Sequence, residues 1–165
     1  MKRTRTKILA GVALLIGLIA VVGIVGGQAT RTTIAGYVDI GPSVGGEWWE
    51  SGPISHGRGV MVNYDVYDSS DTLIGTGSGV VNVNYNRETG DGQEWGSMTF
   101  DMTLGGVGTF EGRFSERISN WYVEGQVVLH GTGDSAGLMA KGSFAGPWLN
   151  AIRPFELVIL DPHGE

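Results

Sequence analysis

The sequence predicts an all-β fold: an antiparallel up-and-down β-barrel of about eight or nine strands, preceded by a single N-terminal hydrophobic helix. Three observations carry this. From Thr32 onward apolar and polar residues alternate with a period of two through most segments, the pattern of strands with one dry face and one wet face. Glycine is abundant, 29 of 165 residues, and beyond the leader it recurs between the alternating segments, where a sheet turns, bulges or bends. The first thirty residues are of another kind, with Lys2, Arg3, Arg5 and Lys7 standing before an unbroken apolar run from Ile8 to Val25.

That run supplies 18 residues, and the uncharged stretch continues to Thr30. At about 1.5 Å of rise per residue, roughly 20 apolar residues span the hydrocarbon layer of a bilayer. Residues 1–29 therefore read as a membrane anchor or a signal peptide. Length favours the uncleaved anchor, whereas Gly27-Gln28-Ala29 has the small-x-small form of a cleavage site. Under either reading the basic head stays in the cytoplasm and residues 30–165 form an extracytoplasmic domain.

Within that domain nine strands are expected, at 32–40, 44–50, 58–67, 72–85, 94–104, 107–117, 121–131, 137–145 and 152–160. In the third, Val60, Val62, Tyr64 and Val66 share one face; in the fourth, Val81, Val83 and Tyr85 oppose Asn82, Asn84 and Asn86. Met98, Phe100, Met102 and Leu104 make the apolar face of the fifth, and Trp121, Val123, Val127 and Leu129 that of the seventh. Gly105-Gly106 reads as a two-residue hairpin turn of the primed type, and Ser119-Asn120 as a similarly short connection. Asp68–Asp71 and Arg87–Glu94 read as longer hairpin loops. Hairpin connections and a dense apolar last segment, Pro154–Leu160, favour a meander that closes on itself over the alternative, a β-sandwich.

Composition excludes some partners. All 17 acidic residues but only seven of the 11 basic ones lie beyond the leader, a balance of −10. Nucleic acid and anionic headgroups both require a basic face, so neither is an expected partner. There is no cysteine, so an exported domain of this size must hold together by its core.

The segments Phe110–Phe114 (FEGRF), Val128–Asp134 (VLHGTGD) and Gly137–Gly142 (GLMAKG) together resemble the last strands of the allene oxide cyclase-like and dirigent-like small β-barrels. In those families a Gly-Thr-Gly loop precedes a strand with regularly spaced glycines. The resemblance is confined to the C-terminal half and carries over only Gly131, Thr132, Gly133, Gly137 and Gly142, all structural. It implies an eight-stranded barrel with a lumen, and assembly into trimers. No substrate-handling residue matches, so activity does not transfer.

His130 is the candidate catalyst, on the polar side of its strand with Glu124 and Gln126 and shortly before Asp134. An imidazole beside a carboxylate serves as a general base, yet nothing nearby supplies a nucleophile, and a strand-end histidine is more often solvated. His56 and His163 fall in a Gly/Ser loop and the C-terminal tail. The acidic sets Asp65, Asp68, Asp71 and Glu88, Asp91, Glu94 lack the spacing of a calcium loop and read as turn formers, so no metal or cofactor is expected. Trp48 and Trp49 must point to opposite faces of a strand; one joins the core, and the other faces solvent, a neighbouring subunit or a ligand. Glu111, Arg113, Arg117 and Glu124 read as a charged ladder on the wet face.

These readings predict a membrane-anchored or secreted extracytoplasmic barrel that acts without catalysis, as a small-molecule-binding or cell-envelope interaction module. Its expected partners are the membrane, through the N-terminal helix, a small apolar ligand, and further copies of itself. An isomerase or cyclase using the lumen and a purely structural surface protein are the alternatives. A cavity of several hundred Å³ with a few convergent polar groups would separate the first two readings from the last.

Overall fold

A computed structural model of the protein describes residues 29–148 and 152–163. Nine strands run β1 (Thr30–Ile40), β2 (Glu47–Ser51), β3 (Ile54–Asp68), β4 (Leu73–Asn86), β5 (Gly92–Asp101), β6 (Thr109–Ser119), β7 (Tyr122–Thr132), β8 (Met139–Pro147) and β9 (Ile152–Asp161). The expected leader helix lies in residues 1–28, outside the described residues. Among the described residues no helix is long and apolar enough to cross a membrane.

From β3 to β9 each strand pairs antiparallel with the next. β1 then lies between β9 and β3 and closes an eight-stranded barrel. The sandwich alternative is not formed, because one sheet curls round and pairs with itself. Closure satisfies the backbone groups that open edges would expose.

The ninth strand, β2, is an addition to the barrel. β1 and β2 run end to end along β3, with Ile40 opposite Tyr64 and Trp49 opposite His56. Between them Val44 bridges Met61, and Gly45 and Gly46 both take positive φ. β2 pairs with β3 alone, so at this end the sheet carries a flap instead of continuing round to β9.

The alternation read in the sequence resolves into an apolar interior and a polar exterior. One half of the barrel is filled by Val66, Met102, Phe110, Leu129 and Ala140, all buried. At the other end Val83, Ile118 and Val123 pack with Tyr85 and Trp148, and the Trp121 ring lies 5.8 Å from Tyr85 and 5.7 Å from Trp148. Between the two lies open space.

Two turns differ from expectation. Gly105-Gly106 does not join two strands directly: β5 ends at Asp101, a 3-10 turn covers Thr103–Gly105, and β6 starts at Thr109. The Met102 carbonyl accepts from the Gly105 and Val107 amides at 3.2 and 3.1 Å. Leu104 thereby leaves the apolar face for solvent, 70% exposed. The second short turn is displaced by one residue, since Ser119 pairs with Tyr122 and the central residues are Asn120 and Trp121, at φ 50° and 63°. Asp68 does organise its loop, accepting from the Ser70 and Thr72 amides at 2.8 and 3.0 Å.

Candidate functional site in the barrel lumen

The open space is a cavity of about 400 Å³ in the half of the barrel nearest β2. Its walls are the inward faces already described: Val62 and Tyr64 of β3, Val81 of β4, Met98 of β5, Phe114 of β6, Val127 and Leu129 of β7, Leu157 of β9. Side chains of one phase along every strand converge on the axis of a barrel, so a regular alternation lines the lumen with apolar groups.

Three charged residues interrupt that lining. Glu94 of β5 and Glu116 of β6 stand directly opposite in register, and both are buried, as is Arg153 of β9. The Arg153 Nη1 donates to both Glu116 oxygens, at 3.0 and 3.1 Å. The Trp148 indole N–H donates to Glu94 Oε2 at 2.8 Å, across the strand pair from Glu116. Burial pushes the Glu116 carboxyl up to about 8, the neighbouring Glu94 carboxylate pushes the same way, and Arg153 pulls it back. Tyr64, on β3, faces the same cluster; burial raises its phenol, with Glu94 adding to the effect, so it stays neutral.

Trp48 stands at the mouth. It lines the cavity yet is 50% exposed. Opposite it in register is Gly57, where a Cβ would approach both the Trp48 ring and Val83 to 2.9 Å. The missing side chain lets the indole lie across the inner face of β3.

Trp49 faces the other way. Its ring stacks on His56, centroids 5.0 Å apart, and the Arg58 guanidinium lies 5.2 Å from it and 5.0 Å from the Trp95 ring. His56, expected in a loop, is part of β3, with Nδ1 2.7 Å from Asn84 Oδ1. His130 is exposed on the outer wall of β7, between Glu111 and Met139 in register, on the opposite face from the lumen. Glu124 and Gln126 share that outer face, and within the expected ladder Arg117 stands opposite Glu124. Gly131 and Thr132 end β7, Gly133 and Gly137 take positive φ in the following turn, and Gly142 lies in β8. There the Thr109 and Thr132 hydroxyls are 2.9 Å apart. Among the described residues no group of acidic or histidine side chains is placed to hold a metal ion.

Glu94, Glu116 and Arg153 are not among the expected site residues, and Glu94, expected where the loop Arg87–Glu94 meets the fifth strand, lies inside β5. The signal was present nonetheless. Glu116 falls in phase with Phe114 and Ile118, Glu94 with Met98, and Arg153 with Phe155 and Leu157. A charge in the apolar phase of a strand points inward.

Compared with models of known protein families and with curated proteins, the chain matches none.

Proposed function

We propose that the protein is an extracytoplasmic binding module that takes one small, largely apolar molecule into its barrel lumen. The observation that carries this is the cavity of about 400 Å³, apolar in its walls and polar at one buried cluster. That combination is the usual form of a small-molecule site, within the range of roughly 300–1,000 Å³. A purely structural barrel has no use for the void, since empty space in a core forfeits packing. The leader supports delivery of the domain across a membrane, where it stays anchored or is released.

The test is energy transfer from the tryptophans to N-phenyl-1-naphthylamine added to the full chain in detergent. Trp48 and Trp148 border the lumen, so saturable transfer is expected. Val127→Phe, which fills the lumen, is expected to abolish it while leaving the β-type circular dichroism spectrum unchanged. Equal transfer in both proteins would refute lumen binding.

One observation favours a second reading. Beside Glu94 in the cavity wall, the Glu116 carboxyl is pushed up to about 8 by burial and so holds a proton near neutral pH, as a general acid requires. An isomerase working in the lumen would use this pair and leave His130 dispensable. A turnover lost in Glu116→Gln and retained in His130→Gln would select it.

A further inference from the structure

We infer that the lumen recognises an organic cation, an amine or quaternary ammonium on a small hydrocarbon body, with its charge held at Glu94 among aromatic rings. The inference rests on the binding reading and specifies its ligand.

Carboxyl groups outnumber cations on the cavity wall. Glu94, Glu116 and Glu156 line it, and among the described residues Arg153 is the one cation that does. Glu156, on β9, is exposed and adds its charge from the solvent side. Arg153 is committed to Glu116, whose two oxygens accept from Nη1 at 3.0 and 3.1 Å. Glu94 has instead the uncharged Trp148 indole for a donor. A carboxylate held away from water without a counter-ion of its own gains from a cation brought to it. The Glu116 side chain has no accessible surface, while Glu94 is 9% exposed. A guest therefore meets Glu94 and senses Glu116 through its charge alone.

The rest of the wall suits the same guest. Trp48, Tyr64, Phe100, Phe114, Phe144 and Phe155 all line the cavity. The Tyr64 and Phe100 centroids are 5.7 Å apart, and those of Phe114 and Phe144 6.4 Å. An aromatic face attracts a cation within about 6 Å, most strongly where water is excluded, and also packs against hydrocarbon. Aliphatic walls alone would hold the hydrocarbon and be indifferent to charge. An anion finds no uncommitted guanidinium here, and a neutral guest leaves Glu94 without a counter-charge. Beyond the leader the chain carries seven basic residues against 17 acidic ones, a field that draws cations in and turns anions away.

A proton on Glu116 competes with the guest. The groups facing this carboxyl are Glu94 from β5, Arg153 from β9 and the neutral phenol of Tyr64 from β3. Below about 8 it holds a proton, and above that value it adds a negative charge to the cluster. Affinity for a permanently charged cation should rise through that range.

The experiment compares three ligands of one shape on the full chain in uncharged detergent: benzyltrimethylammonium, its neutral isostere neopentylbenzene, and 2,2-dimethyl-3-phenylpropanoate. Tryptophan fluorescence is the readout, and Val127→Phe is the blank for partition into detergent. Salt at about 0.5 M, where the Debye length is about 4 Å, removes the contribution of surface charge. At about pH 6.5 the ammonium should bind at least about tenfold more tightly than either of the others. That preference should widen at about pH 9.5 and collapse in Glu94→Gln, which should bind neopentylbenzene as the unaltered chain does. Equal binding of all three, tightest binding of the acid, or a preference undiminished in Glu94→Gln overturns the inference and leaves lumen binding standing. Binding of none above the blank overturns the binding reading itself. The comparison of ligands on the unaltered chain decides the question even if Glu94→Gln fails to fold.

Discussion

A glutamate inside an apolar barrel titrates far from its solvent value, and the direction of its effect on stability follows from that. The Glu116 carboxyl sits at about 8 in the folded protein against 4.5 as a free side chain. Below 4.5 it is protonated folded or unfolded, and the fold gains its full benefit from the neutral group. Between the two values the folded chain holds a proton that the unfolded chain has released, so stability falls as pH rises. Above 8 both states are ionised and this contribution is flat. Glu116→Gln keeps a polar side chain of similar shape and removes the titration. The difference in urea midpoint between variant and wild type should therefore widen in the variant's favour from pH 5 to pH 8. A difference that is constant across that window would show that Glu116 ionises normally.

At the scale of single elements, the turns carry the departures from sequence expectation. The connection between β5 and β6 places only Gly106 and Gly108 at positive φ, 70° and 110°, while Gly105 lies in the 3-10 turn. Gly106 has nothing within 4 Å of a built Cβ, so a substitution there reports backbone strain alone. Gly106→Val should cost about 1–3 kcal/mol, read from the chemical denaturation midpoint with an unchanged slope. Gly105→Val would act differently, through overlap with Ile74, whose Cβ lies 2.8 Å from the position of the added atom. A cost at Gly106 below about 0.5 kcal/mol would place the turn in another conformation.

The hairpin of β6 and β7 shows strain set against packing. Trp121 holds φ 63°, an uncommon state for a bulky residue. Its amide donates to the Gly90 carbonyl at 3.0 Å, its carbonyl accepts from the Trp148 amide at 2.8 Å, and its ring joins Tyr85 and Trp148. These contacts over-determine the backbone and use the hairpin to cap the barrel end. Alternation places Trp121 on the apolar face of the seventh expected strand; it stands instead in the turn before β7.

For the whole molecule, closure is what turns eight amphipathic strands into a container. With β1 between β9 and β3, one dry face becomes an enclosed lumen, and the added β2 flap brings Trp48 to its mouth. The wet face becomes the exterior and carries the net negative charge. Protease added to intact cells should digest the barrel domain if the leader exports it, and sequencing of the mature N-terminus should separate anchor from cleaved peptide. Protection of residues beyond Thr30 would refute export.

The sequence by itself determined the strands and their faces. The nine expected segments overlap β1 to β9 to within a few residues, and Val60, Val62, Tyr64 and Val66 or Val123, Val127 and Leu129 point inward as their alternation demands. These are local properties: side-chain direction along a strand is settled by the pleat, without reference to any other strand. Tertiary structure decided the site. Glu94 and Glu116 meet through strand register, Arg153 arrives only when β9 takes its place beside β8 and β1, and Trp148 reaches Glu94 from the end of β8. Each charge could be seen to lie in an apolar phase, but their meeting and the raised Glu116 carboxyl belong to the closed barrel. Proximity across a lumen depends on closure and register, and no window of sequence contains either.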